Sequence, residues 1–294
     1  MKMVLKIAVL TAILAAAVLL AFVPQASAQD PPPGLPILLG TTGACNNVNQ
    51  GGPCTETSTL VQIDPTNGAL VRVIGPVGYT VNGLAWDSTT DKLYATTAIG
   101  DVVFHGLITI DPNTGQGTPV NASVVNFGLA GAASPVHSIT FDSSGNAVGW
   151  YDEFPPPVGV TDTFVTINKA TGIATEHDNT GINTGQNGVA FAKHDLLWNI
   201  DSPKFVGSVI TQTAYLLDPT NGQPMDSRDI APPTPAALGD FDPVGNKYYG
   251  LNFQAFSTAP TFLVLIDLKK GTATTLGQTV NDLHVIAFVK HHIL

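Results

Sequence analysis

The stretch from Thr59 to Gly75, TLVQIDPTNGALVRVIG, sets the architecture of the chain. It contains two short runs of strand-forming residues, LVQI and LVRVI, on either side of a polar segment. In that segment Asp64 can accept hydrogen bonds from the backbone ahead of it, Pro65 fixes φ, and Gly68 tolerates the positive φ of a tight turn. The stretch therefore predicts a β-hairpin.

The same hairpin phrase recurs along the chain. The later copies read LITIDPNTG, FVTINKATG, YLLDPTNG and LVLIDLKKG, and they end at Gly115, Gly172, Gly222 and Gly271. A second phrase, made of an apolar strand, a polar turn and another strand, first appears as VNGLAWDSTTDKLYATT. It returns as VHSITFDSSGNAVGWYD, NGVAFAKHDLLWNID and LGDFDPVGNKYYGLNF, and a partial copy, HVIAFVKHHIL, lies at the C-terminus.

The aromatic residue of the second phrase recurs at a nearly constant interval. Its positions, Trp86, Phe141, Phe191, Phe241 and Phe288, are separated by 55, 50, 50 and 47 residues. Repeats of roughly 40–50 residues with four strands each are typical of β-propellers. The sequence therefore indicates an all-β propeller.

The phase of the repeat indicates how the ring closes. Four complete units cover roughly residues 82–120, 137–178, 187–230 and 238–277. The remaining pieces are three strands at the N-terminus, within residues 37–75, and one strand at the C-terminus, residues 284–289. They complete a blade only if the chain ends meet, which also removes the exposed sheet edges. We predict a single propeller of five four-stranded blades, in which residues 284–289 pair with residues 37–42.

The succession of LYATT, LITIDPNTG and VHSITFD resembles the secreted bacterial propellers with YVTN-type and quinoprotein-dehydrogenase-like repeats. The resemblance extends over nearly all of the chain after residue 28. It implies the propeller fold, but dehydrogenase subunits, lactonases, lyases and surface proteins share these repeats. The chemistry of any site has to be argued from its own residues.

The N-terminus reads as an export signal. Lys2 and Lys6 precede an unbroken apolar run, and Ala26-Ser27-Ala28 is a small-residue cleavage pattern. We therefore expect a signal peptide at residues 1–28, a proline-rich leader at 29–36 and the propeller domain at 37–294, with the mature protein secreted or periplasmic. A membrane anchor is the alternative, but the apolar run is short for a span, which needs about 20 residues.

Composition excludes some partners. The formal net charge is −10, and only 12% of the residues are charged. Nucleic acids and anionic membrane surfaces attract basic patches, so neither is an expected partner.

The two cysteines lie close together in the sequence. Cys45 and Cys54 are in a loop rich in Gly, Asn and Pro. In an exported protein this pattern predicts a disulfide. A metal or redox role is less well supported, because no CxxC motif or nearby histidine accompanies them.

The best candidate site is a ring of residues where the inner strands begin. In a propeller these strands line the central channel, and the residue four positions before each aromatic residue falls at the channel mouth. These residues are Asn82, His137, Asn187, Ala237 and His284, and Asp240 lies slightly further along its strand. Histidine can hold a metal ion or transfer protons near neutral pH. The alternative is that these side chains only bind water or cap loop backbone.

The loops after the second strand of each blade carry a second set of candidates, Asp101, Asp152, Glu153 and Asp201. Carboxylates that converge on a pocket could hydrolyse a glycosidic bond. No local motif fixes their geometry, so solvated loop charges are the alternative.

Two functions remain open. The first is a binding or surface-assembly propeller without catalysis. It recognises a small polar ligand, a glycan or a protein at the face formed by the loops that follow the second and fourth strands of the blades. The second is an enzyme, either a lactonase or lyase with a metal at the channel mouth or a glycan hydrolase. We expect no resident cofactor, and a divalent metal held by His137 and His284 is the alternative. The chain lacks G-x-S-x-G, H-E-x-x-H, phosphate-loop and haem-attachment motifs, and this favours binding.

Overall fold

Five four-stranded antiparallel sheets form a five-bladed β-propeller in the computed structural model. The structure describes residues 36–43, 57–98, 106–129, 136–151, 162–182, 188–201, 204–206, 209–232, 236–243, 246–252 and 260–290. In chain order, strands β1 to β22 are Pro36–Thr42, Thr59–Ile63, Leu70–Pro76, Val81–Asp87, Lys92–Thr97, Leu107–Ile110, Gly117–Pro119, Val136–Phe141, Ala147–Tyr151, Thr163–Ile167, Ala174–Asn179, Gly188–Ala192, Leu196–Ile200, Lys204–Val206, Val209–Thr211, Thr213–Leu217, Pro224–Asp229, Ala236–Phe241, Tyr248–Asn252, Phe262–Asp267, Thr272–Gln278 and Leu283–Lys290.

Each blade has an inner strand A followed outward by strands B, C and D. Blade 1 is β4–β7, blade 2 is β8–β11, blade 3 is β12, β13, β16 and β17, and blade 4 is β18–β21. The closing blade has the order β22, β1, β2, β3. Each inner strand contacts the inner strands of both neighbouring blades, so the ring is closed. We call the end with the A–B and C–D turns the turn face, and the end with the B–C and D–A loops the loop face.

The predicted closure is confirmed. The C-terminal strand β22 pairs antiparallel with β1, from Pro36 opposite Lys290 to Thr42 opposite Leu283. This pairing lets both chain ends complete one sheet and leaves neither as an open edge.

The hydrophobic core lies between the blades. Within the described residues the buried apolar side chains form five clusters, one at each interface between neighbouring blades. Some repeat positions pack alike. The ring of Tyr94 in blade 1 lies 5.1 Å from that of Phe141 in blade 2, and the ring of Tyr249 in blade 4 lies 5.1 Å from that of Phe288 in the closing blade. The repeating aromatic residue of strand A therefore helps to join a blade to the one before it.

The C–D turns have the predicted chemistry. In the closing blade, Asp64 accepts a hydrogen bond from the backbone N–H of Thr66 at 2.8 Å, and Gly68 adopts a φ of 78°. The other four glycines of the phrase also have positive φ. Turn formation accounts for the repeated Asp-Pro and Gly residues.

Two glycines allow the closing blade to fit its neighbours. A Cβ added to Gly75 would lie 2.1 Å from the carbonyl oxygen of Thr114 in blade 1. A Cβ added to Gly277 in blade 4 would lie 2.0 Å from the carbonyl oxygen of Asn67 in the closing blade. On each side of the closing blade, an outer strand thus touches the C–D turn of the next blade.

Some features were not predicted, and some predictions remain untested. The B–C connection of blade 3 contains an additional hairpin, β14 with β15. The signal peptide, most of the leader, Cys45 and Cys54 lie outside the described residues, so the cleavage and the disulfide stay predictions. In the described part of the chain, no helix has the length and apolar character needed to cross a membrane.

Candidate functional site

Three of the predicted channel-mouth residues occupy equivalent positions. Asn82, His137 and His284 are each the second residue of an inner strand, in blade 1, blade 2 and the closing blade. Ala237 is the second residue of the inner strand of blade 4, and Asn187 lies outside the described residues. The five-fold repeat brings the first three to one end of the channel.

Asn82 joins the two histidines. Its Nδ2 lies 2.9 Å from Nδ1 of His137, and its Oδ1 lies 3.0 Å from Nε2 of His284. The blade of Asn82 lies between the blades of the two histidines, which explains why one short side chain reaches both rings. The three side chains form a continuous hydrogen-bonded chain across the mouth.

The chemistry of the amide fixes the roles of the rings. An amide has one donor group and one acceptor atom, so one histidine has to accept and the other to donate. With Nδ2 donating to His137 and Oδ1 accepting from His284, both rings carry their proton on Nε2. A second proton on His137 would place an N–H against the N–H of Asn82. The bridge therefore favours a neutral His137.

Burial also keeps the pair neutral. Burial lowers the pKa of His137 to about 4, against a raising effect of the Asp162 carboxylate. Burial, together with neighbouring His137, lowers the pKa of His284 to about 4. Desolvation penalises the charged imidazolium, so both rings are neutral at pH 7.

This arrangement is poorly suited to a metal ion bound by both rings. A metal ligand needs a lone pair, and Asn82 already occupies the lone pair of His137. Both histidines can bind one ion only if the Asn82 bridge breaks. In the part of the chain that the structure describes, no group of three or more His, Cys, Asp or Glu residues is arranged to hold a metal ion.

Asp240 lies deeper along the channel and contacts backbone. One carboxylate oxygen accepts from the N–H of Phe241 at 2.8 Å, and the other accepts from the N–H of Phe288 in the closing blade, also at 2.8 Å. Burial raises the pKa of Asp240 to about 7, although both hydrogen bonds favour the ionised form. Its contacts indicate a residue that joins two inner strands.

Of the predicted loop carboxylates, Asp101, Asp152 and Glu153 lie outside the described residues. Asp201 follows strand β13 directly and is buried, and its Oδ2 lies 2.9 Å from Nζ of Lys204. Burial acts to lower the pKa of Lys204, but Asp201, with help from Tyr215 and Asp162, outweighs burial and raises it. Asp201 therefore belongs to an ion pair between a buried carboxylate and an exposed lysine.

Asp162 was missed by the sequence reasoning. It is 3% exposed and interacts electrostatically with both His137 and Lys204. The repeat offers only a positional signal, the residue that directly precedes strand C. The structure buries this residue in every blade; the five residues are Ser58, Gly106, Asp162, Gln212 and Thr261. Asp162 carries the negative charge at this position.

No protein-family model and no curated protein matches the sequence. Similar solved structures include TolB from Acinetobacter baumannii, with 13% identity, a TM-score of 0.46, and coverage of 84% of this chain and 54% of that chain. A gluconolactonase from Xanthomonas campestris has 13% identity, a TM-score of 0.41 and coverage of 86% and 90%. Regucalcin, a calcium-binding protein from Agrobacterium tumefaciens, has 14% identity, a TM-score of 0.47 and coverage of 90% and 81%. The chain spans about half the length of the TolB structure. At identities this low, a similar fold does not show that this chain shares the activity of any of these proteins.

Proposed function

We propose that the protein is an exported propeller that binds a small polar ligand, such as a glycan, at its loop face and does not transform it. The observation that supports this proposal is the Asn82 bridge between His137 and His284. It holds a pair of neutral, hydrogen-bonding rings in a fixed geometry at the channel mouth.

The same bridge argues against catalysis by these histidines. An acid–base catalyst works best when its pKa is near the operating pH. Both rings have a pKa of about 4, so neither is poised to exchange protons near pH 7. Neutral imidazoles suit the recognition of polar, uncharged groups.

A binding screen tests this proposal. Thermal-shift measurements of the mature protein against a library of mono- and oligosaccharides should find ligands that raise the melting temperature. The double variant His137→Ala with His284→Ala should lose those shifts, whereas His194→Ala, which changes a residue of the turn face, should retain them. Shifts of equal size in the double variant would refute a binding role for the channel mouth.

A glycan hydrolase is the second candidate. The observation that favours it is the presence of two buried carboxylates, Asp162 and Asp201, that both act on Lys204. Paired carboxylates are the usual catalysts of glycoside hydrolysis. Release of nitrophenol from a panel of nitrophenyl glycosides, abolished in Asp162→Asn and in Asp201→Asn, would establish this activity in place of simple binding.

A further inference from the structure

The turn face has an open cleft between blades 2 and 3. Its volume is about 850 Å³, within the range of about 300–1,000 Å³ that is typical of small-ligand pockets. Val148 of blade 2 and Phe191 of blade 3 line it and belong to the hydrophobic cluster between these two blades. Ile173 of blade 2 lines it too and is exposed to solvent. The cleft therefore joins the edge of the core to the surface.

A change in the repeat accounts for this cleft. In each blade, one residue of strand B pairs with the residue that directly precedes the repeating aromatic residue of strand A. These strand B residues are Leu39, Tyr94, Val148, Trp198 and Tyr249. The other four are large, and each packs in one cluster with the aromatic residue of the next blade. Val148 is the smallest of the five, so space that a larger side chain fills elsewhere stays open.

The small side chain of Val148 leaves Phe191 partly exposed. The phenylalanines at the equivalent positions are buried, with exposures of 9%, 5% and 6% for Phe141, Phe241 and Phe288. At the two interfaces where strand B has a tyrosine, its ring lies 5.1 Å from the aromatic ring of the next blade. Phe191 has no such tyrosine beside it, because the corresponding residue is Val148. An added aromatic ring could rest against Phe191 at a similar distance.

The outer end of the cleft is also apolar. Ile173 directly follows the glycine of the C–D turn, and it is 46% exposed. The residues at this position in the other blades are Ala69, Gln116, Gln223 and Thr272. A large apolar side chain thus replaces small or polar ones at the same cleft where Val148 replaces large ones. Both departures from the repeat favour an apolar group in the cleft.

The charged side chains that line the cleft already have partners. Lys169 forms an ion pair with Asp87 of blade 1. Asp142 accepts hydrogen bonds from the backbone N–H of Asn146 at 2.8 Å and from its Nδ2 at 2.7 Å. A charged ligand would have to compete with these contacts. The arrangement therefore favours an uncharged ligand.

Two hydroxyl groups lie on the blade 2 side of the cleft. Thr166 and Thr175 are opposite each other on strands C and D, so their side chains lie on the same side of the sheet. Both line the cleft, and Thr175 is exposed. The Thr166 hydroxyl is also within 3.2 Å of Nε2 of His177. Hydroxyl groups donate and accept, so this wall suits a ligand that carries a hydroxyl group of its own.

We propose that the turn-face cleft between blades 2 and 3 binds a small neutral phenol, whose aromatic ring packs against Phe191 and Val148. The ring takes the place that a tyrosine of the preceding blade takes at two other interfaces. Ile173 covers the apolar edge of the ligand, and Thr166 and Thr175 bind its hydroxyl group. This site lies at the opposite end of the propeller from Asn82 and the two histidines, so it does not depend on the function proposed for the channel mouth.

Methyl NMR of the mature protein tests the proposal, with phenol, para-cresol and catechol as probes. At least one probe should shift the methyl signals of Val148 and Ile173 in a saturable way, because an aromatic ring changes the magnetic field at nearby protons. The methyl signals of Leu70 in the closing blade are the internal reference, since its exposure of 43% resembles that of Ile173. They should not move. D-Glucose, which has hydroxyl groups but no aromatic ring, should leave all of these signals unchanged.

Val148→Tyr should fill the cleft from within. It introduces the residue type that blades 1 and 4 have at this position, so the new ring should pack against Phe191 and exclude the probe. The melting temperature should equal or exceed that of the parent, because a cavity is filled. The shift of the Ile173 methyl signals on addition of the probe should be lost.

Ile173→Gln is a second variant that changes only an exposed position. It introduces the residue type that blades 1 and 3 have there and removes apolar surface from the cleft, so it should weaken probe binding by about threefold or more. Leu70→Gln is the matched control and should keep the parent affinity.

The site is overturned if none of the three phenols gives saturable shifts at Val148 and Ile173 at concentrations up to about 10 mM. Unchanged binding in folded Val148→Tyr, or in Ile173→Gln, also overturns it. Equal shifts with D-glucose would overturn the choice of an aromatic ligand. The double variant His137→Ala with His284→Ala should retain phenol binding, so this site and the channel mouth can fail separately.

Discussion

The carboxylate of Asp240 in blade 4 accepts a hydrogen bond from the backbone N–H of Phe288 in the closing blade, at a distance of 2.8 Å. One hydroxyl in blade 2 makes the equivalent contact, since Thr140 accepts from the N–H of Phe191 in blade 3 at 3.2 Å. Each acceptor directly precedes the repeating aromatic residue and binds the N–H of that residue in the next blade. Asp240 thus helps to hold the C-terminal strand in the ring.

Asp240 should make stability depend on pH. Its folded pKa of about 7 lies above the ordinary aspartate value of 3.8, so between these two pH values the folded state binds more protons than the unfolded state. Stability therefore falls as pH rises through this window. Asp240→Thr introduces the residue type that blade 2 has at this position, Thr140. The free energy of unfolding of the parent, taken relative to that of Asp240→Thr, should fall by up to about 1.4 kcal/mol for each pH unit in this window. Urea unfolding at intervals from pH 4.5 to 8 measures this, and a difference that does not change with pH would contradict it.

A cross-blade ion pair on the turn face should contribute measurable stability. Asp87 is buried, which raises its pKa, but hydrogen bonds from Lys169 of blade 2, Thr90 and Thr89 outweigh burial and lower the pKa to about 2. Lys169→Met should destabilise the protein at pH 7 by about 2 kcal/mol, and the loss should vanish as pH falls from 4 toward 2. Chemical unfolding measures both effects.

The control for Lys169 is an exposed pair. Lys270 lies 3.5 Å from Asp267, and its side chain is 74% exposed. Lys270→Met should therefore change stability by less than about 1 kcal/mol. Equal losses of stability in Lys169→Met and Lys270→Met would show that the pair with buried Asp87 stabilises the protein no more than the exposed pair does.

The glycines at the two borders of the closing blade, Gly75 within it and Gly277 in blade 4, should not tolerate a side chain. Gly75→Ala and Gly277→Ala would each force a Cβ against a backbone carbonyl oxygen. Backbone cannot yield as a flexible side chain does, so each variant should lose at least about 2 kcal/mol. Thr274→Ala, at an exposed position of the same strand as Gly277, should stay within about 0.5 kcal/mol of the parent. Thermal unfolding distinguishes these outcomes. A loss of stability in Gly277→Ala as small as that in Thr274→Ala would disprove tight packing at this interface.

The sequence predicts the fold well because the propeller is a repeat. Asp64 and its counterparts determine the turns locally, and the interval from Trp86 to Phe141 reports the size of a whole blade. The remnants at the two chain ends then leave a single way to close the ring. The hairpin β14–β15 has no counterpart in the other blades of the described chain, so the repeat could not predict it.

The positions of three candidate residues were predictable from the repeat, but their contacts were not. Register alone placed Asn82, His137 and His284 at one end of the channel. Whether the amide of Asn82 contacts both rings depends on the distances between side chains of three neighbouring blades. The order of residues in the sequence does not give these distances. Asp240 shows the same limit, because its partner Phe288 is 48 residues away in the chain.

¹⁵N NMR of the imidazole rings shows directly whether Asn82 bridges a neutral histidine pair at the channel mouth. Single variants His137→Ala and His284→Ala assign the signals. We predict that both rings are neutral Nε2–H tautomers from pH 8 down to pH 5, because each has a pKa of about 4. A ring that becomes cationic above pH 6, or an Nδ1–H tautomer in either histidine, would contradict it.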